Sequence, residues 1–416
     1  MEKVDLLIEE GKIKAFLSIE DAGSLKDSGS AEIVDAGGLW VAPGLIDMHV
    51  HLREPGEEYK ETIRTGTMAA AAGGFVAVAC MPNTHPVNDS RSVTEYILQR
   101  AAEGGFARVY PVAAVSVGSR GEQLSEFGDL SRAGAVAFSD DGRPVSSSRL
   151  MRSALEYARA YDKPIISHAE DLGLSEGGCI HEGEVSAMTG LKGIPSEAEE
   201  IMVYRDIELT RFTGGKLHVA HVSTAGSVQL IRQAKARGIR VTAETAPHYF
   251  TLTHEAVAEF DTNAKMNPPL RTAEDVEAIR FGLKDGTIDA IATDHAPHSV
   301  IEKDIEFELA ANGIVGLETC VGLALQLVRE GVLNLFQALR ALSSNPARIL
   351  GVAGGAIELG GVANLTLLDS NARYTVDPET FFSLSRNTPF GGRDLQGRAV
   401  MTILEGKPVR IKGVAR

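Results

Sequence analysis

Gly44-Leu45-Ile46-Asp47-Met48-His49-Val50-His51 is the stretch from which the rest of the chain is read. It is short, rich in apolar residues and opened by glycine, as a buried strand would be. Strand alternation predicts that Asp47, His49 and His51 share one face, so two imidazoles point the same way. A lone histidine in a strand is ordinarily a packed core residue. Two of them at i and i+2, at the end of a strand, offer a chelating pair instead.

Seven further runs resemble this one in length and composition: Phe75 to Cys80, Val109 to Ser116, Ala135 to Ser139, Pro164 to His168, Leu217 to His221, Ile239 to Thr245 and Ile288 to Asp294. Between them, Arg91 to Gly104, Ser147 to Tyr161, Ser196 to Thr213 and Ala225 to Arg237 carry apolar residues at helical spacing. Strands alternating with amphipathic helices predict an α/β fold with a parallel sheet, and eight such units close into a (β/α)8 TIM barrel. The 416 residues exceed the ~250 of an ordinary barrel and leave room for a second unit. Val4 to Ile8, Lys12 to Ile19, Val362 to Leu368 and Ala399 to Ile411 read as antiparallel strands. They predict a small β-sandwich-like domain built from both termini, with divisions at 1–43, 44–353 and 354–416.

The composition is that of a globular protein, 44% apolar and 23% charged, with a formal net charge of -15. That charge argues against binding to nucleic acid or to an anionic membrane, both of which need a positive face. Cys80, Cys179 and Cys320 form no C-x-x-C pair and read as reduced, buried thiols. The apolar run Met68 to Met81 is shorter than the ~20 residues that span a bilayer and contains Gly73-Gly74. It predicts a helix end feeding a buried strand. With no secretory pattern after Met1, the expected location is the cytoplasm.

Other predicted strands end in the same residue types as the first: Ser139-Asp140-Asp141, His168, His221 and Asp294. The carboxyl ends of barrel strands are where catalytic groups collect. On the sixth strand, parity separates His221 from His218, which is expected to face the helices. Four histidines and two carboxylates exceed the needs of one tetrahedral zinc and suit a binuclear site, in which a hydroxide shared by both metals would be the nucleophile. Nitrogen and oxygen donors suit Zn2+, with Co2+ and Mn2+ chemically acceptable. Strand parity alone leaves Asp140 and Asp141 both open as the shared carboxylate.

His49-Val50-His51-Leu52-Arg53, Met81-Pro82-Asn83-Thr84, Lys265-Met266-Asn267-Pro268-Pro269-Leu270 and Ala292-Thr293-Asp294-His295-Ala296-Pro297-His298 together resemble dihydroorotases. The resemblance extends to Asn345-Pro346-Ala347 and Asn387-Thr388-Pro389-Phe390. It implies that His49, His51 and Asp294 hold one metal, that His168 and His221 hold the other, and that Asp141 bridges them. Asp294 would also move the catalytic proton. Arg53, Asn83, Asn267, His298, Asn312 and Gly313 would contact substrate, with Arg53 as a bidentate partner for its carboxylate. The implied reaction is the reversible closure of N-carbamoyl-L-aspartate to L-dihydroorotate with loss of water, at two Zn2+ per subunit.

In two places the chain departs from this pattern or shares it with others. Many relatives have an aromatic residue where Asn312 stands, and Thr245-Ala246-Pro247-His248-Tyr249 resembles allantoinases as much as dihydroorotases. The rival reading is therefore an allantoinase or a hydantoinase. Many of those relatives bridge their metals with a carboxylated lysine on strand four, and Gly134 to Asp141 contains none. His248, His85, His181, His254 and His295 are expected in structural or surface roles. A homodimer is expected, and the resemblance leaves open a complex with aspartate transcarbamoylase.

Overall fold

The computed structural model describes residues 4–18 and 32–411. β1 (Asp5–Glu9) and β2 (Lys12–Leu17) form a hairpin, and β3 (Trp40–Pro43) leads directly into β4 (Leu45–Val50), the first barrel strand. β5 (Phe75–Cys80), β6 (Arg108–Ala113), β7 (Ala137–Phe138) and β8 (Ile165–Ser167) follow. A short parallel pair, β9 (Ile180–His181) and β10 (Gly193–Ile194), lies outside the barrel. β11 (Leu217–Val219), β12 (Val241–Thr245) and β13 (Ala290–Ile291) complete it.

These eight strands make one parallel sheet in sequential order from β4 to β13. Val50 bridges His295, and the His51 N–H donates to the His295 carbonyl at 2.8 Å, which closes the barrel. All eight expected strands are present, several shorter than foreseen. The expected helices appear as Arg91–Gly104, Ser148–Arg159, Glu197–Thr213 and Ala225–Ala236. Two of them are capped by the residue before the apolar pattern begins: Ser147 accepts from the Leu150 N–H and Thr224 from the Ser227 N–H.

One apolar cluster draws Met48, Ala79, Val112, Ala137, Ile166, Ala220 and Ala290 from successive strands and fills the barrel, with Ile349 and Leu350 joining it. A larger cluster takes the alternate strand residues, such as Leu45, Val78, Leu217, Val219 and Ile291, and packs them on helix residues Ile97, Val203, Val228 and Ile279. Each strand is thus apolar on both faces, the requirement for a parallel sheet covered by helices.

β14 (Leu365–Thr375), β15 (Asp394–Leu404) and β16 (Lys407–Pro408) pair with β3 in a four-stranded antiparallel sheet. The β1–β2 hairpin joins it through a bridge between Lys12 and Val362, and Ile13, Ala363, Leu365, Leu367 and Ile403 form the shared core. This is the composite unit expected from the runs at 4–8, 12–19, 362–368 and 399–411; Ile19 lies outside the described residues. Among those residues, no helix is long and apolar enough to cross a membrane.

The small sheet sits on the end of the helix Ile63–Gly73. Thr366 Oγ1 donates to the Gly74 carbonyl at 2.6 Å, and Thr402 Oγ1 donates to the Ala71 carbonyl at 2.7 Å. Gly74 closes that helix at φ 95°, and a Cβ there would lie 2.7 Å from Ala399 Cβ. The apolar run at 68–81 is therefore the foreseen helix end and buried strand, with glycine at the corner because a larger residue would push the sheet away. Left-handed strain and overpacking together predict that Gly74→Ala costs about 2–4 kcal/mol. A thermal melt of the variant should shift down by several degrees, and an unchanged melt would contradict this packing.

Candidate active site

The strand ends bring His49, His51, Asp141, His168, His221 and Asp294 together, all buried. Asp141 stands in the middle. Its Oδ2 lies 3.3 Å from His49 Nε2 and 3.5 Å from His51 Nε2, while its Oδ1 lies 3.4 Å from His221 Nε2 and 3.7 Å from His168 Nδ1. Asp294 Oδ1 joins the first group, 3.1 Å from His51 Nε2 and 3.5 Å from His49 Nε2. Asp140 faces elsewhere, accepting from the Ser116 N–H at 3.0 Å and from the Ser116 hydroxyl.

Donor atoms bound to one tetrahedral cation at 2.0–2.1 Å stand about 3.3 Å apart, the spacing seen on both sides of Asp141. Asp141 Oδ1 and His49 Nε2 are buried without a hydrogen-bond partner, as atoms awaiting a cation would be. The residues present therefore fit metal binding.

Outer partners fix the tautomer of three of the histidines. Glu244 Oε1 accepts from His49 Nδ1 at 2.6 Å, Asn83 Oδ1 from His51 Nδ1 at 2.9 Å, and Glu170 Oε2 from His168 Nε2 at 2.9 Å. In each case the other ring nitrogen faces the group, where it could offer its lone pair to a cation. Asn267 Nδ2 also donates to Glu170 Oε2, at 3.2 Å.

The electrostatics follow from this crowding. Burial alone would raise the Asp141 carboxyl, yet His49, His221 and His51 hold it well below the usual range. Asp294 is likewise lowered against its burial, by His49 and His51. Glu244, buried beside His49 and His218, and Glu170, half-buried beside His168, are both drawn down to about 2. Burial would lower His49, but the surrounding Asp141, Asp294 and Glu244 carboxylates raise it well above its ordinary value. A divalent cation would take over the charge balance that protons on histidine otherwise supply.

Arg53 is buried at φ 60°, where Nε donates to the Pro297 carbonyl and Nη2 to His298 Nε2, both at 3.2 Å. Burial, then Arg53, pulls His298 down to about 2, so it is neutral. Asn387 draws the neighbouring backbone together, accepting from the His298 N–H at 3.0 Å and donating to the carbonyls of Ala296 and Gly313 at 2.9 and 3.0 Å. Gly313 is buried against His298, whereas Asn312 is exposed.

Two expectations are corrected. Asp47 does not share a face with the histidines: a register shift between Asp47 and Val50 breaks the alternation, and its carboxylate accepts from the Thr293 N–H at 3.1 Å. Burial pushes that carboxyl up to about 7. His218 does not face the helices. Its neighbours Leu217 and Val219 do, and His218 Nε2 lies 3.2 Å from Glu244 Oε2. His221 nevertheless reaches the site because φ 33° turns it back against strand parity. Glu244, Glu170 and Asn387 escaped the sequence reading of the site. The Glu170 signal was legible as a carboxylate two residues beyond His168.

Of the other histidines, His248, His181 and His295 are buried, His254 is half-buried and His85 is exposed. His295 Nε2 pairs with Glu61 at 3.3 Å, and His181 Nδ1 lies 3.2 Å from Arg271.

A family model described as Dihydro-orotase-like matches residues 38–227, and one described as Amidohydrolase family matches residues 194–410. A curated dihydroorotase of Syntrophus aciditrophicus is 56% identical over 98% of this chain and 95% of its own length. One of Syntrophobacter fumaroxidans is 62% identical over 90% of this chain and 85% of its own length. The chain belongs to the dihydroorotase family. Among solved structures, the L-hydantoinase (dihydropyrimidinase) of Arthrobacter aurescens superposes with TM-score 0.86 at 26% identity, covering 99% of this chain and 93% of that one. This chain thus shares its scaffold with a hydantoinase.

Removing an outer carboxylate from a metal-ligating histidine ordinarily costs about 10–100-fold in metal affinity. Glu244→Gln should weaken metal binding by that order, read by competition with a chromophoric chelator. Unaltered affinity would remove Glu244 from the support of the site.

Proposed function

We propose that this chain interconverts N-carbamoyl-L-aspartate and L-dihydroorotate, with the residues above as its catalytic machinery. The observation that carries the reading is the Asp141 carboxylate, whose two oxygens face two separate histidine groups. The family relationship supplies the reaction, and the absence of lysine from Gly134 to Asp141 separates the site from lysine-bridged relatives.

Two divalent metals, which we assign as Zn2+ held by His49, His51 and Asp294 and by His168 and His221 with Asp141 shared, would supply an acidified water and Lewis-acid polarisation of the ring carbonyl. Asp294, kept ionised by the imidazoles around it, takes the proton of the attacking water and hands it to the leaving ring nitrogen. Arg53 is held by Pro297 and His298, and its remaining N–H groups offer a fork for the ring carboxylate. The neutral His298 and the backbone at Gly313 line the same side, and Asn83 and Asn267 hang from the supports of His51 and His168. In the biosynthetic direction Asp294 takes the proton from the ureido nitrogen and returns it to the departing water. Closure replaces two carboxylates by one and consumes a proton, so the ring form gains as pH falls.

The purified, zinc-loaded protein should turn over L-dihydroorotate and lose that activity to a chelator. Preference for allantoin or a hydantoin would retain the chemistry and overturn the substrate. Asp294→Asn should lower kcat by about 10³-fold with the fold intact by circular dichroism. Arg53→Ala should instead raise KM about 10–100-fold, as expected for loss of a charge-assisted bidentate contact. Near-normal kinetics in either variant would remove its role.

A further inference from the structure

Residues 304–313, which join His298 and its following helical turn to Gly313, contain neither helix nor strand, so their carbonyls have no ladder to satisfy them. Two buried lysines do so instead. Lys265 Nζ donates to the carbonyls of Phe307, Glu308 and Ala310 at 2.7, 2.9 and 2.7 Å. Lys303 Nζ donates to those of Ala311 and Gly313 at 2.8 and 3.1 Å. The Lys265 carbonyl in turn accepts from the Gly313 N–H at 3.0 Å.

Both lysines are only 4% exposed, and the recorded hydrogen bonds of both ammonium groups go to main-chain oxygen. Burial lowers the Lys265 ammonium, and burial with the neighbouring Lys265 brings Lys303 down to about 7, a cost offset by satisfying their N–H groups with carbonyl dipoles. The arrangement fixes an irregular wall beside the site. A Cβ on Gly313 would lie 2.7 Å from His298 Cδ2, so this wall touches the histidine that Arg53 contacts. Lys265 stands two residues before Asn267, and the same residue thereby ties the loop after strand seven to the loop after strand eight.

We propose that Lys265 and Lys303 are positioning residues for substrate binding: their ammonium groups hold segment 307–313 so that Gly313 and His298 present a fixed surface to the ring. The proposal rests on the functional reading above, in which that surface faces the substrate. It assigns a role to the lysine of the Lys265-Met266-Asn267 motif, which the chemistry at the strand ends does not use.

The test is Lys303→Met in the metal-loaded enzyme, with steady-state kinetics on L-dihydroorotate and hydrogen exchange read by mass spectrometry. Removing the lysine donor of the half-buried Ala311 carbonyl and one of the two side-chain donors of the Gly313 carbonyl, which keeps Asn387, should raise KM about tenfold while kcat stays within about threefold, because the loss falls on binding. Amides of 307–313 should exchange faster, with the barrel strands and the metal content unaltered. Should that variant not accumulate, Lys303→Arg keeps the charge but not the reach to both carbonyls, and a KM rise of about threefold is expected. Unaltered KM in the folded variant overturns the proposal even if the loop exchanges faster, since the lysines would then serve the fold alone. The unaltered enzyme's turnover of L-dihydroorotate separates that outcome from a failure of the functional reading itself.

Discussion

A buried carboxylate with histidines on both sides, Asp141, is the constraint on which the rest of the structure depends. A negative charge removed from water has to be balanced nearby, and Asp141 faces two imidazoles from the end of the first barrel strand on one oxygen and imidazoles from the ends of the fifth and sixth on the other. Those imidazoles are aimed in turn by Glu244, Asn83 and Glu170, which lie on further strand ends and loops. The site can form only when the sheet has closed. Function and closure are therefore one structural event, and barrel strands as short as Ala137–Phe138 and Ala290–Ile291 are tolerated because side chains at the rim complete what the ladder leaves out.

The sequence carried the architecture well. Apolar runs and helical spacing located every barrel strand, because a parallel sheet buried on both faces leaves a strong compositional trace. The residues that gather at the centre were legible too, since histidine and aspartate at successive strand ends have few reasons to be there. What could not be read was the exact direction of each side chain. Alternation placed Asp47 with the histidines and His218 with the helices, and both placements failed where the strand geometry breaks: a register shift after Asp47, and a left-handed residue at His221. Glu244 was invisible for a related reason, as a buried acid in an apolar strand reveals its purpose only when His49 is seen against it.

Arg53, His221 and Asp294 all have positive φ, at 60°, 33° and 49°. Such backbone costs about 1–3 kcal/mol per residue and persists where the surroundings over-determine it. Around Arg53 these surroundings include the Pro297 carbonyl, which accepts from its Nε, and beside Asp294 the Thr293 N–H is held by Asp47. The scaffold itself is shared with an L-hydantoinase, and a shared fold does not by itself fix function.

The sheet shared by the two ends of the chain has a consequence for biosynthesis. The first barrel strand is anchored by the Gly44 N–H on the Asn364 carbonyl and by the Leu45 N–H on Thr366, a partner 321 positions away. During translation Trp40–Pro43 emerges long before its pairing partner, Leu365–Leu368. The intervening barrel must be synthesised before that edge is covered, and loop closure over so long a span is slow. The nascent chain thus carries an exposed strand edge through most of its synthesis, the interval in which association with the wrong partner is hardest to avoid.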